Sequence, residues 1–559
     1  MRRLYLVLFL SVGFGLFAQT TQDTINTPYW QKMMKDFNVN FYKTKRSYDL
    51  YFSNKPKARG TGWKVFERWA DYWKRTINPD GTFPSADKVE KIMKEYNRKH
   101  LSARSVSGTW TSLGPFKEPN LGKWAGGDQK SAGTGRLNVV AIDPTNSDVL
   151  YAGAPQGGLW KSANAGISWT QVSGIASGQG VSTIGLFPNM PNWIIVGTGD
   201  RDGGDSKGIG VYLSKNGGQT FSFSPINGIT GSGNDFTINK IIINPQNPAS
   251  LIATTNSGVI KSLDTGKTWT YARLNESFLD ISYAPNDTMT LYMTGKSGSQ
   301  SDSFYLSTDG GITFNPSMTG ISVMGIDRSF LATTPANPNI VYLIRVNSAP
   351  MEGLYKSSNK GQTWTKVLDV NTFNLLGYEV NGSDATKGQG FYDVAIYVDN
   401  LDSNRMVVGG VNIYESTNGG AAWTARTNWS GTNGLPITHA DVHYITKNTN
   451  NNTFYICNDG GLYKSTDLQT FTPIYDGVVI SQFYDIDVTA AQDGRIVGGL
   501  QDNSIVERRP NGAWFTHIGG DGMVAEISDL DPNFAIGSSQ NGGVEYTKDG
   551  FQSATTRFN

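Results

Sequence analysis

Beyond residue 108 the apolar residues come in short runs broken by turns, and no stretch keeps a helical period. One unit reads Leu137-Asn138-Val139-Val140-Ala141-Ile142, a turn at Asp143-Pro144, then Val149-Leu150-Tyr151-Ala152-Gly153. Gly157-Gly158 breaks the run before Leu159-Trp160-Lys161, and a further turn leads into Trp169-Thr170-Gln171-Val172. Runs of this length, rich in β-branched and aromatic residues and bounded by Gly, Pro and Asn, predict strands. The same grammar returns at Ile241-Ile242-Ile243-Asn244-Pro245 and at Thr333-Thr334-Pro335. Four short strands in about fifty residues is the size of one propeller blade.

The turn before the fourth strand is the most repeated stretch of the chain. It reads Ser162-Ala163-Asn164-Ala165-Gly166-Ile167-Ser168-Trp169, and comparable copies begin at Ser214, Ser262, Ser307, Ser357 and Ser416. The steps between these serines are 52, 48, 45, 50 and 59 residues, a repeat period. In each copy an Asp or Asn two residues after Ser can bond backbone N–H groups. Gly supplies a positive φ, and the closing Trp, Phe or similar residue begins the next strand. Three decayed units follow near Lys464 to Asp467, Glu507 to Trp514 and Glu545 to Asp549, so about nine four-stranded repeats are visible. The opening Thr109-Trp110-Thr111-Ser112-Leu113 is expected to supply an outer strand to the last blade and close a ring, leaving no free edge. One ten-bladed ring and tandem seven-bladed rings both fit this count.

Residues 19–107 follow another rule. Tyr29 to Phe37, Asn40 to Phe52, and the series Trp63, Phe66, Trp69, Ala70 and Trp73 have helical spacing. A fourth helix is expected from a cap at Ser85 through Lys99. This region carries 18 Lys and Arg against 9 Asp and Glu, while residues 108–559 carry 28 against 38. A basic helical arm beside an acidic body predicts that the arm docks on its own chain. The acidic body excludes nucleic acid as a partner. Residues 1–18, with Arg2-Arg3 ahead of an apolar run ending at Ala18, read as a signal peptide, so the protein is expected outside the cell or at its surface. No later run has the length of a transmembrane helix. Cys457 is the only cysteine, which rules out an intramolecular disulfide, and its apolar setting marks it as core.

The Ser-x-Asp-x-Gly-x-Thr-Trp copies resemble the Asp-box (BNR) repeat. The full unit resembles the sortilin-type propeller superfamily and the tandem propellers of family 74 xyloglucanases. The resemblance implies an all-β, multi-bladed β-propeller over roughly residues 110–550, with the boxes on the blade periphery as scaffold. It also resembles large secreted Bacteroidetes proteins, which implies type IX secretion machinery in the outer membrane as a partner. In family 74 a catalytic Asp stands in Tyr-Ala-x-x-Asp-x-Gly-Gly. Here Tyr151-Ala152-Gly153-Ala154-Pro155-Gln156-Gly157-Gly158 places Pro155 there, and proline cannot serve as acid or base. A sialidase needs three arginines around one carboxylate, and only Arg136, in Gly135-Arg136-Leu137-Asn138, resembles that family's pattern.

The later repeats hold the chemistry-bearing residues. His439, Asp441 and His443 alternate as on one strand face, and Asp459, Gln501, Asp502, His517 and Asp521 lie in neighbouring units. Inner strands of adjacent blades converge on the channel, so these eight residues are expected to line one ligand-binding mouth. Asp200, Asp202 and Asp205 form a weaker candidate set for calcium or another divalent metal. No other cofactor is implied. The first expectation is therefore an exported propeller that binds a glycan or a protein at an acidic mouth. Its rival is a glycoside hydrolase drawing its carboxylates from Asp441, Asp502 and Asp521.

Overall fold

The computed structural model describes residues 29–34, 36–58, 61–84, 95, 111–122, 133–175, 178–227, 236–274, 276–297, 303–322, 325–491 and 494–558. The expected signal peptide lies outside them, as does the fourth helix apart from Glu95. Among the described residues the strands form nine sheets, each built on four antiparallel strands in chain order, and Ile226–Asn227 adds a parallel fifth beside Trp269 and Thr270. Numbered by their innermost strands, blades 1 to 9 begin at Val139–Ile142, Val181–Leu186, Ile238–Ile243, Glu276–Ala284, Arg328–Thr333, Ala395–Val398, Val442–Asn448, Phe483–Val488 and Gly522–Ile527.

Seven blades close a ring. The innermost strand of each packs against that of the next, and blade 7 returns to blade 1. At this seam Leu137, Val140, Trp160 and Trp169 share a core with Tyr455, Cys457, Tyr463, Ile474 and Tyr475. Trp169 fixes it further, its indole Nε1 donating to the Ile474 carbonyl at 2.7 Å. Blades 8 and 9 stand outside the ring and pack on each other through Val497, Ile505, Ile518, Ala525 and Phe551. The ten-bladed alternative is thereby excluded. A fifty-residue period is common to rings of either size, and only the contact between blades 1 and 7 separates them.

The expected closing strand is also corrected. Thr109 and Trp110 of that stretch lie outside the described residues, and Thr111 to Leu113 form no strand. Instead Asn120–Leu121 adds a fifth, parallel strand to blade 8, pairing with Phe515 and Thr516. The repeated turns do what their residues require. Ser262 Oγ donates to Asp264 Oδ1 (2.8 Å) and accepts from Gly266 N (2.9 Å), while Thr268 N donates back to Asp264 (2.9 Å). The same bonds recur with Asn at Ser162-Asn164-Gly166 and Ser357-Asn359-Gly361. Each turn joins the third and fourth strands of its blade.

Among the described residues three helices with full bounds precede the ring: α1 (Trp30–Met33), α2 (Phe41–Phe52) and α3 (Trp63–Lys74). Asn40 caps α2 by accepting from the amides of Tyr42 and Lys43. Gly62 turns the chain into α3 at φ +79, where a Cβ would strike Gln31 and Trp30. Trp30, Phe41, Tyr48, Phe66, Trp69, Trp73 and Phe83 form a core belonging to this arm alone.

Candidate functional site at the mouth of the ring

The turns that enter each blade, and the loops between second and third strands, gather at one end of the ring. The loop after Ile194–Thr198 brings Asp200, Asp202 and Asp205; that after Thr453–Asn458 brings Asp459; that after Ile496–Leu500 brings Gln501 and Asp502. Entry turns supply Arg136, Gln389, Tyr392, Asp393, His439, Asp441 and Asp521.

These residues form one buried network. Arg136 pairs with Asp200 and donates to the Tyr392 hydroxyl at 2.6 Å. That hydroxyl donates to Asp459 at 2.9 Å, and His443 Nε2 lies 2.8 Å from the other Asp459 oxygen. His443 Nδ1 faces Asp202 at 3.2 Å, and Arg328 pairs with Asp202 from blade 5. Burial would push the His443 imidazole down, but Asp202 and Asp459 raise it. Burial would likewise raise Asp202, yet Arg201 and Arg328 hold it well below the usual carboxylate range. Asp200 and Asp202 thus serve as arginine partners, which corrects the calcium expectation. Among the described residues no group of three or more His, Cys, Asp and Glu could hold a metal ion. Arginines beyond Arg136 do reach the mouth, as Arg201 and Arg328, but both engage Asp202.

Two carboxylates behave in opposite ways. Burial, then the charges of Asp459 and Asp502, push Asp441 up to about 7. Gln389 Nε2 donates to it at 2.7 Å. Burial would raise Asp502 too, but Arg68 and Lys64 hold it low. Asp205 is raised to about 6, chiefly by burial. Asp393 is buried with neither carboxylate oxygen partnered, and burial with Asp441 and Asp459 nearby raises it strongly.

Most of the expected site is therefore assembled, with differences. His439 and Asp441 lie in the turn before blade 7, not on its strand; Asp441 takes φ +67, a region that Asp and Asn tolerate. His439 Nε2 sits 3.1 Å from the Asp502 carbonyl oxygen, and Tyr484 donates to Gln501 at 3.1 Å. Asp502 N donates to Asp521 at 2.9 Å. His517 is the exception. It lies on the outer strand of blade 8, 3.0 Å from Glu507 and stacked on Phe551 at 3.8 Å. Counting histidines along the chain could not reveal which strand of the blade held it.

The arm covers this mouth. Arg68 of α3 donates to Asp502 Oδ2 at 2.9 Å and also bonds Asp521, which Lys64 pairs with too. Tyr72, one turn further on, has Asp205 and Gln156 beside it. Lys64, Arg68 and Tyr72 are four residues apart and share one helix face. That stripe was readable in the sequence, but the stronger aromatic face of the same helix masked it.

Fold and site define a β-propeller with an added pair of blades and a carboxylate-rich mouth at their junction. Solved structures of this architecture include the family 74 glycoside hydrolase (GH74) of Niastella koreensis, with a TM-score of 0.56 and 16% identity over 79% of this chain and 67% of that one. The GH74 xyloglucanase of Xanthomonas campestris has a TM-score of 0.56 at 15% identity, over 79% of this chain and 68% of its own. In sequence, a Paenibacillus xyloglucanase is 24% identical over 397 residues, 65% of this chain and 33% of that protein. A Hypocrea jecorina xyloglucanase is 25% identical over 297 residues, 46% of this chain and 33% of its own. The chain spans about a third of the length of these curated relatives. No family model matches it. The likeness establishes the GH74-type propeller fold.

Proposed function

We propose that this chain is an extracellular glycoside hydrolase acting on a polysaccharide, with Asp441 as proton donor and Asp502 as base. The observation that carries the reading is their opposed ionisation within one mouth. Environments that split two carboxylates in this way assign acid and base. Asp441, raised to about 7, keeps its proton near neutrality; Asp502 is ionised with Arg68 and Lys64 beside it. In the reaction Asp441 protonates the glycosidic oxygen as the C–O bond to the anomeric carbon breaks. Water attacks that carbon and gives its proton to Asp502, and exchange with solvent resets both groups. The xyloglucanase relatives support xyloglucan as the first substrate to try.

A second reading, glycan binding without cleavage, is favoured by one observation: Pro155 stands where the family 74 motif carries a carboxylate. Reducing ends released from xyloglucan and other β-glucans separate the two. The hydrolase reading expects release that falls about a hundredfold or more in Asp441→Asn and in Asp502→Asn. Binding with no release, in the intact protein and with the N-terminal helices displaced, establishes the second reading instead.

A further inference from the structure

The base assigned above is not free. Its carboxylate is gripped by Arg68, which has reached it from 434 residues away in the chain. The arm holding Arg68 buries its aromatic residues inward, in a core of its own. Among the described residues of the arm, Val65 joins an apolar cluster of the ring, beside Ala349, Phe391 and Tyr392. Other links between its described residues and the body are polar or cationic. Lys64 and Arg68 enter the acids of the mouth, and Lys32 meets Asp327 at 2.7 Å. In the reverse direction Lys207 of the ring donates to the Pro84 carbonyl at 2.9 Å. Its ammonium lies 4.9 Å from the Phe37 ring, 5.0 Å from Phe83 and 5.9 Å from Trp73. A separate core with a mainly polar interface is how movable domains meet.

We propose that the N-terminal arm is a reversible stopper of the mouth, latched by Arg68 and Lys64 on Asp502 and Asp521. The latch does two things. It lays α3 beside Asp205 through Tyr72, and it occupies the carboxylate that must accept a proton from water. This inference rests on the hydrolase reading for its consequence, but closure of the mouth can be measured without it.

The assay places a thiol under α3. Cys457 is fully buried, so Gln156→Cys, beside Tyr72, provides a single reactive site for a maleimide. With the latch intact, labelling is slow; adding Arg68→Glu raises the rate about tenfold or more, because reactivity scales with the open fraction. Lys64→Ala, which removes a more exposed partner, gives a smaller rise and guards against an arm that merely misfolds in Arg68→Glu. Equal labelling rates in all three proteins overturn the stopper. Xyloglucan cleavage is then compared between the intact protein and Arg68→Glu. Faster cleavage in Arg68→Glu supports the stopper, and equal cleavage despite faster labelling overturns it. No cleavage by either, with labelling still accelerated, defeats the hydrolase reading and leaves the latch standing.

Discussion

Asp441→Asn is the substitution that tests the electrostatics of the mouth most directly. Asn is close to Asp in shape, tolerates the φ of +67 at this position, and can still accept the 2.7 Å bond from Gln389. What changes is the charge. In the folded protein Asp441 is raised from 3.8 to about 7, first by burial and then by Asp459 and Asp502. A carboxyl raised by folding contributes stability that is complete below about pH 4, where it is protonated in both states. That contribution is lost progressively as pH climbs to about 7, because the unfolded chain ionises and the folded one resists. At 1.36 kcal/mol per pH unit, the span between the two values corresponds to about 4 kcal/mol at most. Asn carries no such liability. Urea unfolding of both proteins at intervals from pH 4 to 8 should show Asp441→Asn gaining on the parent through pH 7 and then holding a constant margin. A margin that stays flat across the whole range would refute the claim that this carboxyl is held neutral by its surroundings.

Two further outcomes follow from the packing. Trp169→Ala opens the seam between blades 1 and 7 and should cost about 3–5 kcal/mol, read as a fall in the urea midpoint. Cys457, in the same cluster with its thiol pushed up by burial, should then react faster with a thiol reagent. Tyr392→Phe removes the hydroxyl shared by Arg136 and Asp459 and should cost about 1–3 kcal/mol, again by urea unfolding.

Much of this architecture was legible from local chemistry. The Ser, Asp or Asn, and Gly of each box make their bonds within five residues, so the turns, the strands flanking them and the nine blades could be read directly. Ring size could not, because it depends on Trp169 reaching Ile474, 305 residues away. The site divides in the same way. Asp441, Asp459, Asp502 and Asp521 lie in blade-entry turns or inter-strand loops, and their gathering followed from propeller geometry. His517 occupies an outer strand, a distinction that spacing does not encode. Asp200 and Asp202 looked like cation ligands for want of their arginines, one of which, Arg328, is contributed by a blade 126 residues later. Cationic partners supplied from afar are invisible to a motif, and they decide what a carboxylate can do.

The parallel strand at Asn120–Leu121 gives the protein a sense of time. Its partners, Phe515 and Thr516, are made almost four hundred residues after it, and the acids that receive Arg68 later still than the ring. Contacts of such separation form last. A chain emerging from its N-terminus can therefore complete all seven ring blades while the helices before them remain undocked. The arm is made first, and the contacts of Arg68 and Lys64 with Asp521 are the last of its ties to become possible.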